Sequence, residues 1–326
     1  MTSVVTITFN PCIDKSVSVP ALVPDKKLHC TVERIQPGGG GINVARVIKR
    51  LGLPVTAIYP SGGSTGVLLD QLLKKEAVTT LTIPITHPIR ENIMLTEAST
   101  QKQYRLGMPG EALSLEEWQA CLRVISGIEE VDFIIVSGSI PDNAPRDLFR
   151  QIASLAREKQ AKLVVDAAGE ALQMAVRVGV WLIKPNLSEL AALSGKKELN
   201  EYQVREEAHH LITSGHCSIV VVSMDARGAI LVTADECYRA IPPIIKPKSS
   251  VGAGDSMVGG IVYSLSQGKT MQETLQMGVA CGTAAIMNPG TSLCKPEDVG
   301  MLYNEIQIFP LTTAACPDRC GDRFLQ

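Results

Sequence analysis

Six short runs constrain this chain more than anything else in it: VVTITF (4–9), VTAIYP (55–60), FIIVSG (133–138), KLVVDAA (162–168), WLIKP (181–185) and SIVVVS (218–223). Each is close to continuous in apolar, mostly β-branched residues. That is the signature of strands covered on both faces. The segments between them are longer and carry helical spacing. In GINVARVIKRLG, Val44, Val47, Ile48 and Leu51 recur at i, i+3, i+4 and i+7, and Gly52 ends the run. After residue 252, Val258, Ile261, Val262 and Leu265 form a second such face. Apolar strands alternating with amphipathic helices predict a layered α/β fold around a mainly parallel sheet. Two stretches break the rhythm. Residues 15–36 and 90–107 alternate polar with apolar and have no helical face, so they read as half-exposed strands of a small β-sheet lid. The expected division is an α/β domain of residues 1–14, 37–89 and 108–306, a lid of 15–36 and 90–107, and a C-terminal tail of 307–326.

Composition removes several classes of function. The chain is 45% hydrophobic and 20% charged with a net charge of −2, which is ordinary for a globular protein. An aromatic content of 4% argues against a base-stacking platform. Basic residues are interspersed with acids, so no face is built for nucleic acid. The longest apolar stretches, VDFIIVSGSI (131–140) and SIVVVSM (218–224), are too short to span a bilayer. The opening MTSVVTITFNP reads as a first strand, not a targeting segment. Nine cysteines without regular spacing fit a reduced, cytoplasmic protein. Cys316 and Cys320 are only a pair and cannot complete a four-ligand site. The expectation is a cytoplasmic protein with neither a nucleic-acid nor a membrane partner.

Chemistry concentrates at four turns from strand to helix, where ligands of open α/β sheets bind. They are Asn10-Pro11-Cys12-Ile13-Asp14, Pro37-Gly38-Gly39-Gly40-Gly41-Ile42-Asn43, Lys184-Pro185-Asn186-Leu187-Ser188-Glu189 and Val251-Gly252-Ala253-Gly254-Asp255. In the last, glycines let a ligand approach the free amides of a helix N-terminus, a natural phosphate site. Asp255 then has two readings: a helix N-cap, or an acid that takes a proton from a hydroxyl while the amides hold a transferring phosphoryl group. Two familiar nucleotide motifs are absent. A G-x-G-x-x-G starting at Gly38 or Gly39 requires glycine where Asn43 or Val44 stands. Gly268-Lys269-Thr270 would end a P-loop only if Tyr263 were glycine.

GGGGINVAR (38–46) together with VGAGDSMVGG (251–260) resembles the two signatures of the PfkB, or ribokinase-like, sugar kinase family. The resemblance runs over roughly residues 1–305. It implies a three-layer α/β/α sandwich with a mainly parallel central sheet and a small β-sheet lid. NPCID, KPNLSEL (184–190) and QYRLGMPG (103–110) are similar to the phosphosugar-kinase branch, in its 6-phosphofructokinase form. Relatives acting on tagatose 6-phosphate or fructose 1-phosphate usually read GGKG where Gly40 stands here.

The resemblance implies ATP-dependent phosphorylation of fructose 6-phosphate at O1, with Mg²⁺ and K⁺ as cofactors and a homodimer formed through the lid. Asp255 would be the base, with Gly252, Ala253 and Gly254 as the anion hole. Asp14, Gly39, Asn43 and Ser139 would meet the sugar, although an aspartate after a strand also caps turns. Arg90 and Arg105, with Lys27, would grip the 6-phosphate, for which a planar guanidinium is suited. Lys184, Asn186 and Glu189 would serve the phosphates and Mg²⁺, and Ser223, Gly228 and Asn288 the nucleotide. Glu189 read without the resemblance is equally a solvated helix residue. Carbonyls of Ser249, Val251, Ala285, Asn288, Gly290 and Ser292 would hold K⁺. Two positions depart from the pattern: Asp225 where relatives usually have glycine, and Ser292 where close relatives have arginine. Phosphorylation of tagatose 6-phosphate or fructose 1-phosphate by the same mechanism is the alternative. A binding protein without turnover is a third reading, against which an intact base argues.

Overall fold

The structure is a computed structural model that describes residues 2–249 and 251–311. Strand β1 (Val4–Ile7) leads into β2 (Cys12–Val19) and β3 (Thr31–Gly38), and helix α1 (Gly40–Arg50) follows. Next come β4 (Val55–Ser61), α2 (Gly63–Lys75), β5 (Thr79–Pro84), β6 (Arg90–Glu97) and β7 (Lys102–Leu106). Helices and strands then alternate: α3 (Leu115–Ser126), β8 (Phe133–Ser137), α4 (Leu148–Glu158), β9 (Lys162–Asp166), α5 (Gly169–Val178) and β10 (Val180–Ile183). They continue through α6 (Leu187–Leu193), α7 (Glu201–Thr213), β11 (Cys217–Ser223), β12 (Ala229–Val232) and β13 (Cys237–Ile241). Three helices, α8 (Ala253–Ser266), α9 (Met271–Ile286) and α10 (Pro296–Glu305), precede strand β14 (Gln307–Pro310).

Ten strands form the main sheet in the order β14-β13-β12-β11-β10-β9-β8-β1-β4-β5. From β11 to β5 all neighbours are parallel; β11 to β14 pair antiparallel. Side chains alternate between two apolar layers. Val4, Ile135, Val164, Leu182 and Val221 face α1, α2, α8 and α9, whereas Val5, Val136, Val165, Ile183 and Val220 face α3 to α7. This double cover is why the core strands read as continuous apolar runs. It makes a mixed α/β sandwich of three layers. Val258, Ile261 and Val262 of α8 are fully buried, as their spacing requires.

A separate four-stranded sheet has the order β3-β2-β6-β7; it starts at Cys12 and β3 runs to Gly38, so it extends beyond the expected 15–36 and Asp14 sits on a strand rather than in a turn into a helix. The tail starts later than residue 307, because Gln307–Pro310 pairs with β13 as the edge strand of the main sheet. Four residues with two prolines nearby carry too little pattern to reveal that pairing in advance. Cys316 and Cys320 lie outside the described residues. No helix among the described residues is long and apolar enough to cross a membrane.

Candidate active site

The main sheet turns back on itself at β1. The chain first adds β4 and β5 on one side, then β8 and its successors on the other. Ligands of such sheets bind beyond the strand ends at this switch point. Here α1 presses against the ends of β1 and β8. A Cβ on Gly40 would lie 2.5 Å from the Gly138 nitrogen, and one on Gly41 would lie 2.6 Å from the Ile7 carbonyl. Gly39 caps α1 at φ +110°, where a Cβ would strike Thr8 Cγ2 at 2.7 Å. Its missing side chain is thus demanded first by the backbone and by packing on the strand ends.

Helix α8, like α1, starts on a positive-φ glycine without a side-chain cap. Helices α3, α6, α7 and α9 open with complete capping boxes, Ser114 with Glu117, Asn186 with Glu189, Asn200 with Gln203 and Thr270 with Glu273. The N-cap of α8 is Gly252 in left-handed conformation, φ +75°, and no side chain caps the first turn. Asp255 is therefore not the cap. It lies inside the first turn and accepts a hydrogen bond from Asn43 Nδ2 at 2.9 Å. A Cβ on Gly252 would strike Leu293, whereas one on Gly254 would meet only Lys184, whose Nζ would lie 3.5 Å away. The Gly254 amide thus borders a cation, and with the open first turn it forms an anion cradle.

Charges converge on this point. Buried Lys184 pairs with Asp166 at the end of β9, Nζ to Oδ1 3.1 Å. Burial works against its ammonium, but Asp166, with Glu189 and Asp255 beyond, holds the proton more tightly than usual. Burial and the nearby charges of Asp166 and Asp14 push the Asp255 carboxyl up to about 7, against the Asn43 hydrogen bond and the charge of Lys184. Protein crowds the Asp255 carboxyl deeply, yet the residue keeps a half-exposed edge. That edge opens on a cleft of about 630 Å³ whose walls include Ser139, Arg146, Asp166, Glu170 and Glu189. A carboxylate that titrates near neutrality beside a pocket can accept a proton there.

The small sheet walls a second, smaller cavity. Cross-strand partners share a face, so the pairings define rows. Gln36, Asp14 and Asn92 form one row on one face, and Arg34, Ser16, Met94 and Arg105 form the next. A cavity of about 130 Å³ lies between this face and the loops of Val251 and Thr291, with Asp14, Asn92 and Arg105 among its walls. The other face carries rows of Ile35, Lys15, Ile93 and Leu106, then Val32, Val17, Leu95 and Tyr104. Asp14 accepts from Asn92 Nδ2 at 3.1 Å and from the Cys12 thiol at 3.3 Å. Arg90 donates to the Met108 carbonyl at 3.0 Å, the Asn10 carbonyl at 3.2 Å and Ser139 Oγ at 3.4 Å, while its buried Nε has no hydrogen-bond partner.

Other residues expected at the site have structural duties. Asn186 and Glu189 reciprocally cap α6, at 2.9 and 2.8 Å. Ser223 bridges to Asn186, and Gly228, at φ +88°, has no room for a Cβ beneath the Ala240 carbonyl. Asn288 is buried and donates to the Ala284 carbonyl and to Asp298, at 3.0 and 3.3 Å. Lys27 lies exposed on the loop between β2 and β3, away from the contacts described here. Asp225 takes φ +52°, the left-handed region that explains a usual glycine. Sequence reading missed Asn92, Arg34, Gln36 and Arg46. Arg34 donates to the Pro289 carbonyl at 3.2 Å and to Ser292 Oγ at 3.4 Å, and Gln36 reaches Ser292 at 3.5 Å. For Arg34, Gln36 and Asn92 the only signal is alternation along β3 and β6, which assigns faces but not targets; Arg46 lies inside α1 beside apolar Val44, Val47 and Ile48 and carries no such signal.

The family model described as pfkB family carbohydrate kinase matches residues 4–298. The chain belongs to this family. It is 38% identical over 304 residues to the ATP-dependent 6-phosphofructokinase isozyme 2 of Escherichia coli K12, covering 93% of this chain and 98% of the relative. It is 31% identical over 303 residues to the 1-phosphofructokinase of Bacillus subtilis, covering 93% and 98%. Among solved structures, the phosphofructokinase-2 from Escherichia coli in complex with potassium superposes with a TM-score of 0.90 at 38% identity. That match covers 94% of this chain and 99% of the other.

Proposed function

We propose that this pfkB kinase is an ATP-dependent 6-phosphofructokinase, transferring the γ-phosphoryl group of ATP to O1 of fructose 6-phosphate. The observation that carries the reading is Asp255, raised to about 7 and facing the cleft from the uncapped start of α8. Asp255 takes the proton of the sugar hydroxyl as its oxygen attacks the γ-phosphorus. The bond to the bridging oxygen breaks, and ADP carries the electron pair away. The amides of Gly252, Ala253 and Gly254, with Lys184, stabilise the charge on the transferring group. Asp14 and Asn43 orient sugar hydroxyls, and Ser139 lies at the same wall. Arg90 and Arg105 hold the 6-phosphate; the unpartnered Nε of Arg90 is a donor suited to it. The similarity to the Escherichia coli isozyme supports the choice of sugar.

Asp166, Glu170 and Glu189 line the larger cavity, so a bare triphosphate would be repelled and a magnesium-bound one accepted. Among the described residues no cluster of three or more His, Cys, Asp or Glu is arranged to hold a metal. Mg²⁺ would be held here mainly by phosphates and water, with Glu189 nearby, and would neutralise phosphate charge. For K⁺ the fit is at the C-terminal end of α9. The Lys248 and Ser249 amides both approach the Ile286 carbonyl, at 2.7 and 3.4 Å, drawing residue 249 to a helix end that favours cations, and the Val251 amide bonds Ser249 Oγ at 3.2 Å. Ala285, Asn288 and Gly290 line the same corner. Two of the proposed carbonyls are already engaged: Ser292 accepts from Arg50 Nη1 at 2.6 Å, and Ala285 from the amides of Met287 and Asn288.

The apolar rows on the outer face of the small sheet support a homodimer formed lid to lid. Val32, Ile35, Tyr104 and Leu106 are all exposed there, and a single small sheet needs such a face covered. ADP release with fructose 6-phosphate, tagatose 6-phosphate and fructose 1-phosphate at equal low concentrations tests the substrate. Preference for fructose 6-phosphate is expected. Preference for fructose 1-phosphate would favour the activity named for the Bacillus subtilis relative, and turnover of none would favour binding without catalysis.

A further inference from the structure

The residue that holds Asp255 is itself held. Asn43 gives one amide hydrogen to Asp255, and its Oδ1 accepts from Arg46 Nη1 at 3.2 Å. A guanidinium only donates, so Arg46 dictates which end of the Asn43 amide faces the base. Reversed, the amide would point an oxygen at a carboxylate. Arg46 is one turn along α1 and 1% exposed. Its Nε and Nη2 reach Glu76 at 3.0 and 2.7 Å, and its Nη1 reaches the Pro37 and Thr291 carbonyls at 3.1 and 3.3 Å. Glu76 follows α2 and also takes a bond from Arg50 at 3.1 Å. Burial raises the Glu76 carboxyl, but the two guanidinium groups outweigh it and hold the group below its usual range.

Core packing alone does not call for this cation. Val44, Val47 and Ile48 beside it are fully buried apolar residues, and an apolar side chain at 46 would avoid the cost of desolvating a charge. The contacts of Arg46 instead tie the first glycine loop, the loop of Thr291 and Asn43 to one point.

We propose that Glu76, Arg46 and Asn43 form a positioning relay that fixes the Asn43 amide so that it donates to Asp255 and holds the base in one orientation. The relay rests on the reading of Asp255 as the base. The groups facing Asp255 are Asp14 and the Cys12 thiol from β2, Asp166 from β9, Lys184 after β10 and Glu189 on α6. Asp14 and Asp166 raise its proton affinity; Asn43 and Lys184 lower it. Freeing the Asn43 amide removes one of the two opposing influences, so the base holds its proton to higher pH.

The test is the pH profile of kcat/KM for fructose 6-phosphate in the wild type, Arg46→Lys, Glu76→Gln, Asn43→Ala, Arg46→Lys/Asn43→Ala and Asp255→Asn. Lysine cannot reproduce the bidentate fork on Glu76. Arg46→Lys and Glu76→Gln are expected to move the acid limb up by about half to one pH unit, a loss of roughly three- to tenfold at pH 6 that closes by pH 9. Adding Arg46→Lys to Asn43→Ala is expected to cause no further shift, because the relay is already cut. If Arg46→Lys does not fold, Glu76→Gln carries the same reading. An acid limb unmoved in the folded variants, or a shift by Arg46→Lys that persists without Asn43, overturns the relay alone. Turnover retained in Asp255→Asn overturns the base assignment and the relay together.

Discussion

At position 255 the conflict between burial and charge has two measurable consequences. In the proposed mechanism the active form is the carboxylate, and its proton leaves only near pH 7. For the free enzyme, kcat/KM is therefore expected to climb about tenfold per pH unit below that point and to level off above it. A stopped assay from pH 5.5 to 9 at low sugar checks this; a flat profile contradicts it. The stability effect has the opposite sense. The carboxyl's folded value, about 7, lies above its ordinary 3.8, so the folded state binds the extra proton between these values. Stability from this group is present below pH 4 and declines as pH rises to 7. Asp255→Asn removes the charged form, and the ligand-free variant is expected to melt roughly 2–5 °C above the wild type at pH 8. The difference should vanish near pH 4, which scanning calorimetry at both pH values reads. A lower melting temperature at pH 8 would contradict the burial account.

At the scale of elements, the start of α6 separates two roles that one short motif cannot distinguish. Asn186 and Glu189 cap the helix and also stand at the cleft. Asn186→Ala is expected to cost about 1 kcal/mol in thermal or urea unfolding. Glutamine serves a capping box as well as glutamate does. Glu189→Gln should thus keep stability and raise the Mg²⁺ concentration needed for half activity several-fold. An unchanged Mg²⁺ requirement would leave Glu189 as a cap alone. The same ambiguity explains what was legible in the sequence. Continuous apolar runs give β1, β4 and β8 to β11 directly, and 3.6-residue spacing gives α1 and α8. Strands β5, β12 and β14 are short or exposed on one face, and their pairing depends on distant neighbours. Asp255 and Asn43 drew notice as candidates because glycine-rich turns mark them, and Lys184 because it opens KPNLSEL after a strand. Arg46, Glu76, Asn92 and Arg34 did not, since each acts through a contact between segments remote in the chain.

The whole molecule couples a rigid sandwich to a small sheet whose two faces differ in kind. One carries Asp14, Asn92, Arg34 and Arg105, with Asp14, Asn92 and Arg105 at the smaller cavity; the other presents exposed Ile35, Val32, Tyr104 and Leu106. A second copy of this face would cover the apolar rows, and Leu106→Glu, which places a charge in each copy of the seam, is expected to give monomers at micromolar protein. Light scattering measures the mass directly. A wild-type monomer, or a variant still dimeric, contradicts dimerisation by this face. The central claim is sharper and concerns one oxygen and one proton. It is tested most directly by phosphorus NMR of the products formed from Mg-ATP and fructose 6-phosphate in the presence of K⁺, with wild type and Asp255→Asn side by side. The account predicts ADP and a sugar newly phosphorylated at O1 in the wild type, and a rate at least about 100-fold lower in the variant. Phosphorylation elsewhere on the sugar, or a variant as fast as the wild type, would contradict it.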